Sequence, residues 1–245
     1  MNDTVTSERW RRAQASEQQY WDGLDVAELL RICAEKPAFL KHLDAATLAA
    51  LFDDREVLEI GCGPLGVGLA SFYPGKAAIR RFVKVEPLPR IAVSATGAAR
   101  EPWAAPLVDW VAGLADEGEY VQMPGEALDF EARFDTVVTY NVLDHVQAPG
   151  GILAGAYRAL RPGGRILVGV DCLSVVGRLR FEHLTRRCLA GTILVEAHPH
   201  TFLPDHVLAM MATAGFAGLS CRGLPGRLRR VAGSGFRPAF LGEKR

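Results

Sequence analysis

The stretch Val57-Leu58-Glu59-Ile60-Gly61-Cys62-Gly63-Pro64-Leu65-Gly66 constrains this chain more than any other: four mostly apolar residues run straight into three closely spaced glycines. Glycine is needed where a backbone turns sharply or lets another group approach without a Cβ in the way. The spacing predicts a strand over 57–60, a tight turn and a helix opening after Gly63, the start of a βα unit in a parallel sheet. Val83-Lys84-Val85-Glu86-Pro87 then puts a carboxylate at the end of a second strand, at the distance where such folds hold a ribose.

The same pattern continues along the chain. Apolar runs over 57–60, 82–85, 120–122, 136–139 and 165–170 read as five strands, with helices after Gly63, around 103–115 and over 152–160. An amphipathic segment over 204–214 stops at Gly215, and the apolar stretches 216–224 and 236–241 predict a closing antiparallel pair. Ahead of the first strand, residues 8–52 carry apolar and aromatic side chains at helical spacing, broken at Gly23 and Pro37, which predicts two or three helices. The expected organisation is a helical cap, residues 1–54, on an α/β domain, residues 55–245.

With 245 residues, 49% of them apolar, the chain can bury a sizeable core. Lys+Arg and Asp+Glu both number 28, so no net field favours nucleic acid or an anionic membrane. Cys33, Cys62, Cys172, Cys188 and Cys221 form no CxxC pair, which disfavours a disulfide framework or a structural zinc and suggests a reducing, cytoplasmic setting. Neither a leader-like N-terminus nor a run of about 18 apolar residues is present, so a membrane is not an expected partner.

Two details bear on what the glycine turn holds. A pyrophosphate needs backbone N–H groups at a helix start, but Pro64 has none, and Glu59 places an anion just behind the loop. A ligand carrying an ammonium and a sulfonium gains from the same carboxylates, by on the order of 1–4 kcal/mol for a partly exposed pair. The residues therefore favour S-adenosylmethionine over NAD.

Six segments in order carry a family resemblance: Leu58-Glu59-Ile60-Gly61-Cys62-Gly63, Val85-Glu86-Pro87, Gly125-Glu126-Ala127-Leu128-Asp129-Phe130, Phe134-Asp135-Thr136-Val137-Val138, Asn141-Val142-Leu143-Asp144-His145-Val146 and Leu160-Arg161-Pro162-Gly163-Gly164-Arg165. Over about residues 8–245 the chain resembles the class I S-adenosylmethionine-dependent methyltransferases, within their small-molecule, type 11-like group. The resemblance implies a Rossmann-like α/β fold with a seven-stranded, mainly parallel sheet whose last strand is antiparallel. It also implies S-adenosyl-L-methionine as methyl donor and S-adenosyl-L-homocysteine as product. Glu59, Gly61, Cys62 and Gly63 would surround the methionine moiety, Glu86 and Pro87 the ribose, and Gly125, Glu126 and Ala127 the adenine. Asn141 would offer its main-chain carbonyl to the ammonium group. Read from the residues themselves, Trp10, Tyr20 and Trp21 of the cap could close over the cofactor with aromatic faces, Trp21 being the cofactor contact, although such a stripe is more often core packing. Pro64 stands where the family more usually has Thr or Ser.

Methyl transfer is an in-line displacement driven mainly by alignment in a dry pocket, with a base needed only if the acceptor carries its proton. His145 and His200 are the catalytic candidates as neutral imidazoles. His145, His198, His200 and Tyr20 are the candidate substrate contacts. Asp144 and Asp171 show no carboxylate–carboxylate–Asn set with the histidines, so no metal is expected. The Arg-rich stretches around 178–187 and 222–230 read as solvated faces. The expected activity is methylation of O or N of a metabolite, natural product or sugar by a monomer or homodimer. An NAD-dependent oxidoreductase and a non-catalytic cofactor-binding partner are the alternatives.

Overall fold

The computed structural model describes residues 4–232 and 235–245. Three helices lead: α1 (Ser7–Asp22), α2 (Val26–Leu40) and α3 (Ala45–Phe52). Each begins at a short polar side chain that accepts a backbone N–H three residues on: Thr6 from Arg9 at 3.2 Å, Asp25 from Glu28 at 2.9 Å and Asp44 from Thr47 at 2.7 Å. The break falls at Gly23 as expected, but not at Pro37, which sits inside α2 while the helix runs on to Leu40. A proline there removes one helical hydrogen bond, and burial of Phe39 and Leu40 against the sheet holds the last turn in place.

The chain then alternates through β1 (Glu56–Ile60), β2 (Arg81–Glu86), α4 (Ala105–Ala115), β3 (Glu119–Gln122), β4 (Phe134–Tyr140), α5 (Pro149–Ala159) and β5 (Leu160–Gly169). Short helices α6 (Val175–Arg180), α7 (Arg186–Cys188) and α8 (Ile193–Glu196) precede α9 (Pro204–Thr213), β6 (Ala217–Arg222), α10 (Arg227–Ala232) and β7 (Ala239–Glu243). The seven strands form one sheet in the order β3-β2-β1-β4-β5-β7-β6, parallel except that β7 runs antiparallel to both β5 and β6. The expected sheet, with its antiparallel last strand, is thus present. Among the described residues no helix is long and apolar enough to cross a membrane.

One expected element is missing. No α-helix opens after Gly63; residues 61–69 form an irregular, mostly buried loop that ends in a 3-10 turn at Ala70–Phe72. Pro64 donates no backbone hydrogen bond, Gly66 adopts φ +73°, and the carboxylate of Glu59 takes the N–H groups of Leu69 and Ala70 that a preceding helical turn would have left open.

Alternation along the strands sorts side chains to the two faces. Leu58, Ile60, Val137, Ile166 and Val168 join Phe134 in a core beneath α5 and α9, whereas Val57, Val138 and Leu167 face α3 and the end of α2. Reversal of strand order between β1 and β4 leaves a crevice at their carboxyl ends, the place where open α/β sheets bind ligands.

Phe134 is fully buried and packs edge-on against Phe130 at 5.2 Å. Phe134→Ala is expected to lower unfolding stability by about 3–5 kcal/mol, read from the shift in urea midpoint at unchanged slope.

Candidate active site

The crevice opens into a cavity of about 390 Å³ walled by the ends of β1, β2 and β4 and roofed by α1 and α2. Its floor is the glycine loop, whose buried backbone polar groups need partners away from water. Charged side chains supply several of them. Glu59 accepts from Leu69 N–H at 2.5 Å and Ala70 N–H at 3.2 Å; Lys84 donates to the carbonyls of Gly66 at 2.7 Å and Ala115 at 2.9 Å; Lys36 donates to the carbonyl of Val67. Gly68 allows this, because a Cβ there would lie 2.4 Å from Glu59 Oε2. Burial pushes the Glu59 carboxyl up and the Lys36 and Lys84 ammonium groups down, while the attraction among these opposite charges works against both shifts.

Glu59 therefore does not face the cavity. Its neighbours in sequence do: Gly61, Cys62 and Gly63 line it, with Trp21 of α1 standing against Gly63. Glu86 ends β2 at the opposite side of the loop, its Oε2 accepting from Gly63 N–H at 3.0 Å and its Oε1 from Leu88 N–H at 3.2 Å. Burial raises its carboxyl to about 7, against those two hydrogen bonds. Pro87, Gly125 and Glu126 complete this side, whereas Ala127 lies exposed on the outer side of the 3-10 turn Gly125–Ala127. Asn141 follows β4 with φ +58° and its N–H bonded to Gly169 O at 2.7 Å, which turns the chain into the cavity. Its Oδ1 is buried with no hydrogen-bond partner.

The histidines divide. His145 and His198 line the cavity with ring centroids 4.5 Å apart, but His200 points elsewhere, its Nε2 bonded to Val146 O at 2.9 Å and its ring stacked on Phe202. His145 is not the neutral imidazole expected. Burial opposes its charge, yet Asp144 and Glu17, whose Oε1 is 2.9 Å from Nδ1, outweigh that and hold it up at about 10. Burial and the neighbouring His145 charge keep His198 below the usual range.

Trp10, expected with Tyr20 and Trp21 as a cap aromatic, lines the cavity. Several other lining residues were not singled out from sequence: Gln14 and Glu17 share one face of α1 with Trp10 and Trp21, at helical spacing that marks a stripe but not what it covers. Arg237 arrives from the lead-in to β7: it pairs both oxygens of Asp171 at 2.8 Å, donates to Tyr140 Oη at 2.6 Å and reaches Glu35 at 3.3 Å. No local pattern brings that residue to this wall. Tyr20, an expected substrate contact, does line the cavity, and its hydroxyl donates to Glu28 at 2.8 Å.

A family model described as a methyltransferase domain matches residues 32–220. The mitochondrial ubiquinone biosynthesis O-methyltransferase of Schizosaccharomyces pombe is 26% identical over 159 residues, covering 62% of this chain and 49% of its own length, so the chain spans about half of that relative. Among solved structures, a Burkholderia thailandensis 1,6-didemethyltoxoflavin-N1-methyltransferase, crystallised with its substrate and S-adenosylhomocysteine, superposes with a TM-score of 0.59 at 18% identity, covering 98% of this chain and 91% of its own. An S-adenosylmethionine-dependent methyltransferase of Thermotoga maritima, described as a possible histamine N-methyltransferase, gives 0.55 at 16% identity, covering 97% and 100%. At these identities the structural likeness is one of fold.

At Gly61 the backbone has φ +75°, and a Cβ would sit 2.2 Å from Val142 Cγ2. Gly61→Ala is expected to destabilise the protein by about 2–4 kcal/mol, combining left-handed strain with overpacking. Urea unfolding of Gly61→Ala alone and with Val142→Ala checks this: the second change restores the packing share of the loss and leaves the backbone share.

Proposed function

The chain belongs to the methyltransferase-domain family, and on that premise we propose that it binds S-adenosyl-L-methionine in the cavity above β1, β2 and β4 and transfers the methyl group to O or N of a small molecule. Glu86 carries this reading: a carboxylate only 6% exposed, at the end of β2, with lone pairs left over after its two backbone bonds. Such a group holds paired ribose hydroxyls. The residues around it suit the rest of the nucleoside. Trp21 gives an aromatic face over the glycine turn, Gly125 and Glu126 flank the second half of the cavity, and the orphaned Asn141 Oδ1 and main chain offer acceptors for an ammonium group.

The cofactor supplies an electrophilic methyl on a sulfonium. The chain's own contribution is placement: the cavity volume is in the range that buries a ligand of this size, and α1 keeps water from one side. Arg9 fastens α1 to α8 by donating to the carbonyls of Val195 at 2.6 Å and Glu196 at 2.5 Å. In this proposal residues 1–54 are the cap and 55–245 the catalytic domain. His145, His198, Tyr140 and the Asp171–Arg237 pair form the acceptor side, with His145 donating hydrogen bonds rather than taking a proton. A pyrophosphate finds no helix N-terminus beyond the glycine loop, which argues against NAD.

Calorimetry is expected to show binding of S-adenosylmethionine and S-adenosylhomocysteine but not NAD; binding of NAD alone overturns the reading. The pH dependence follows from Glu86. Only its carboxylate accepts from both ribose hydroxyls, and with the free-protein value near 7 the proportion ionised falls as pH drops through neutrality. Affinity for S-adenosylhomocysteine is expected to fall about tenfold from pH 8 to pH 6. In Glu86→Gln it is expected to be weaker throughout and to lose that slope.

A further inference from the structure

We propose that Asp144, His145 and His198 form a divalent-cation site on the acceptor side of the cavity. Asp144 Oδ2 lies 3.5 Å from His145 Nε2 and 3.7 Å from His198 Nε2, and one ligand atom from each of the three residues falls within 4.8 Å of the others. A tetrahedral Zn²⁺ or Co²⁺ with bonds of about 2.1 Å separates its ligand atoms by about 3.4 Å, so one ion fits among these groups with small side-chain movements.

What surrounds the three groups suits ligands better than a chance cluster. Each imidazole is fixed through its other nitrogen: His145 Nδ1 is 2.9 Å from Ala197 O, and His198 Nδ1 is 3.0 Å from Leu194 O. A carbonyl only accepts, so both Nδ1 atoms carry hydrogen and both Nε2 atoms are turned toward Asp144. Glu17 Oε1, also 2.9 Å from His145 Nδ1, completes the carboxylate–histidine arrangement by which proteins orient a metal-bound imidazole. Asp144 is 3% exposed, and its Oδ1 is buried with no hydrogen-bond partner, which a carboxylate rarely tolerates. The Asn141 amide, 3.5 Å from His145 Nε2, stands at the edge of the same cluster.

The nitrogen-and-oxygen donor set selects a borderline cation such as Zn²⁺ or Co²⁺ over Ca²⁺. Because His145 and His198 line the cavity, the remaining coordination position faces the acceptor side. The ion would take the place of the His145 Nε2 proton and would hold an oxygen or nitrogen of the acceptor. That use rests on the proposed methyl transfer, but the site itself does not.

The test is a titration of the chelator-stripped full chain with Co²⁺, followed by visible absorption and by metal content after gel filtration. One equivalent per chain is expected, with the d–d bands of nitrogen and oxygen ligation. His198→Gln, at a half-buried position that should leave the fold intact by circular dichroism, is expected to weaken Co²⁺ binding at least tenfold. Asp144→Ala is expected to abolish it, and Cys188→Ser, at an exposed thiol, to leave it unchanged. Failure to bind one equivalent, sulfur charge-transfer bands that vanish in Cys188→Ser, or undiminished binding by folded His198→Gln overturns the proposal. S-adenosylhomocysteine calorimetry on the same stripped protein separates the two readings: its loss removes the proposed function, and Co²⁺ binding alone decides the metal site.

Discussion

The structure depends on an irregular loop being buried. Residues 61–70 carry the turn that shapes the cavity, and seven of them in a row, from Pro64 to Ala70, lie out of water without being part of a regular helix or strand until the last. Glu59, Lys36 and Lys84 replace the missing secondary structure by bonding the loop's amides and carbonyls from three directions. Each charge is costly to bury alone, and together they offset one another. Glu59 comes from β1, Lys84 from β2 and Lys36 from α2, so the loop is fixed only when the sheet and the leading helices are assembled. The floor of the site and the packing of α2 on the sheet are one cooperative unit.

That arrangement explains which parts of the site were legible in the sequence. Gly61, Gly63 and Glu86 were, because each answers to a local need at a strand end, a positive φ or a carboxylate aimed across the turn, while Gly125 followed only from the family resemblance. Glu59 was misplaced because its position ahead of the glycines looks ligand-facing, while strand parity puts it on the face opposite Leu58 and Ile60, beneath the loop. The helix after Gly63 failed for a related reason. Its opening residues contain Pro64, Gly66 and Gly68, and the bonds a helix would have made among themselves go to side chains from elsewhere. The sheet was legible almost throughout, since its apolar runs record burial on both faces, whereas Arg237 reaches the cavity through tertiary packing that leaves no spacing to read, and the helical spacing of Glu17 marks a stripe without telling what it covers.

The two acidic strand ends then separate by function. Glu59 and Glu86 both sit at 6% exposure or less, on adjacent parallel strands, with Glu59 opposite Lys84 and Glu86 two residues further along β2. Glu59 has its charge answered by two lysines and its oxygens occupied by backbone, which leaves it as scaffold. Glu86 is held by two amides and makes no ion pair among the described residues, and burial raises it to about 7 against those bonds and the more distant charge of His145. A carboxylate in that condition gains most from a ligand that brings hydrogen-bond donors and positive charge. Across the cavity Asp144 differs in kind: it is buried with its Oδ1 orphaned, and its Oδ2 faces the imidazoles of His145 and His198 at 3.5 and 3.7 Å. The cavity thus has two deeply placed carboxylates whose oxygens the protein's own hydrogen bonds do not fully use, Glu86 at the end of β2 and Asp144 beyond β4, and in the proposed reading both are completed by what binds.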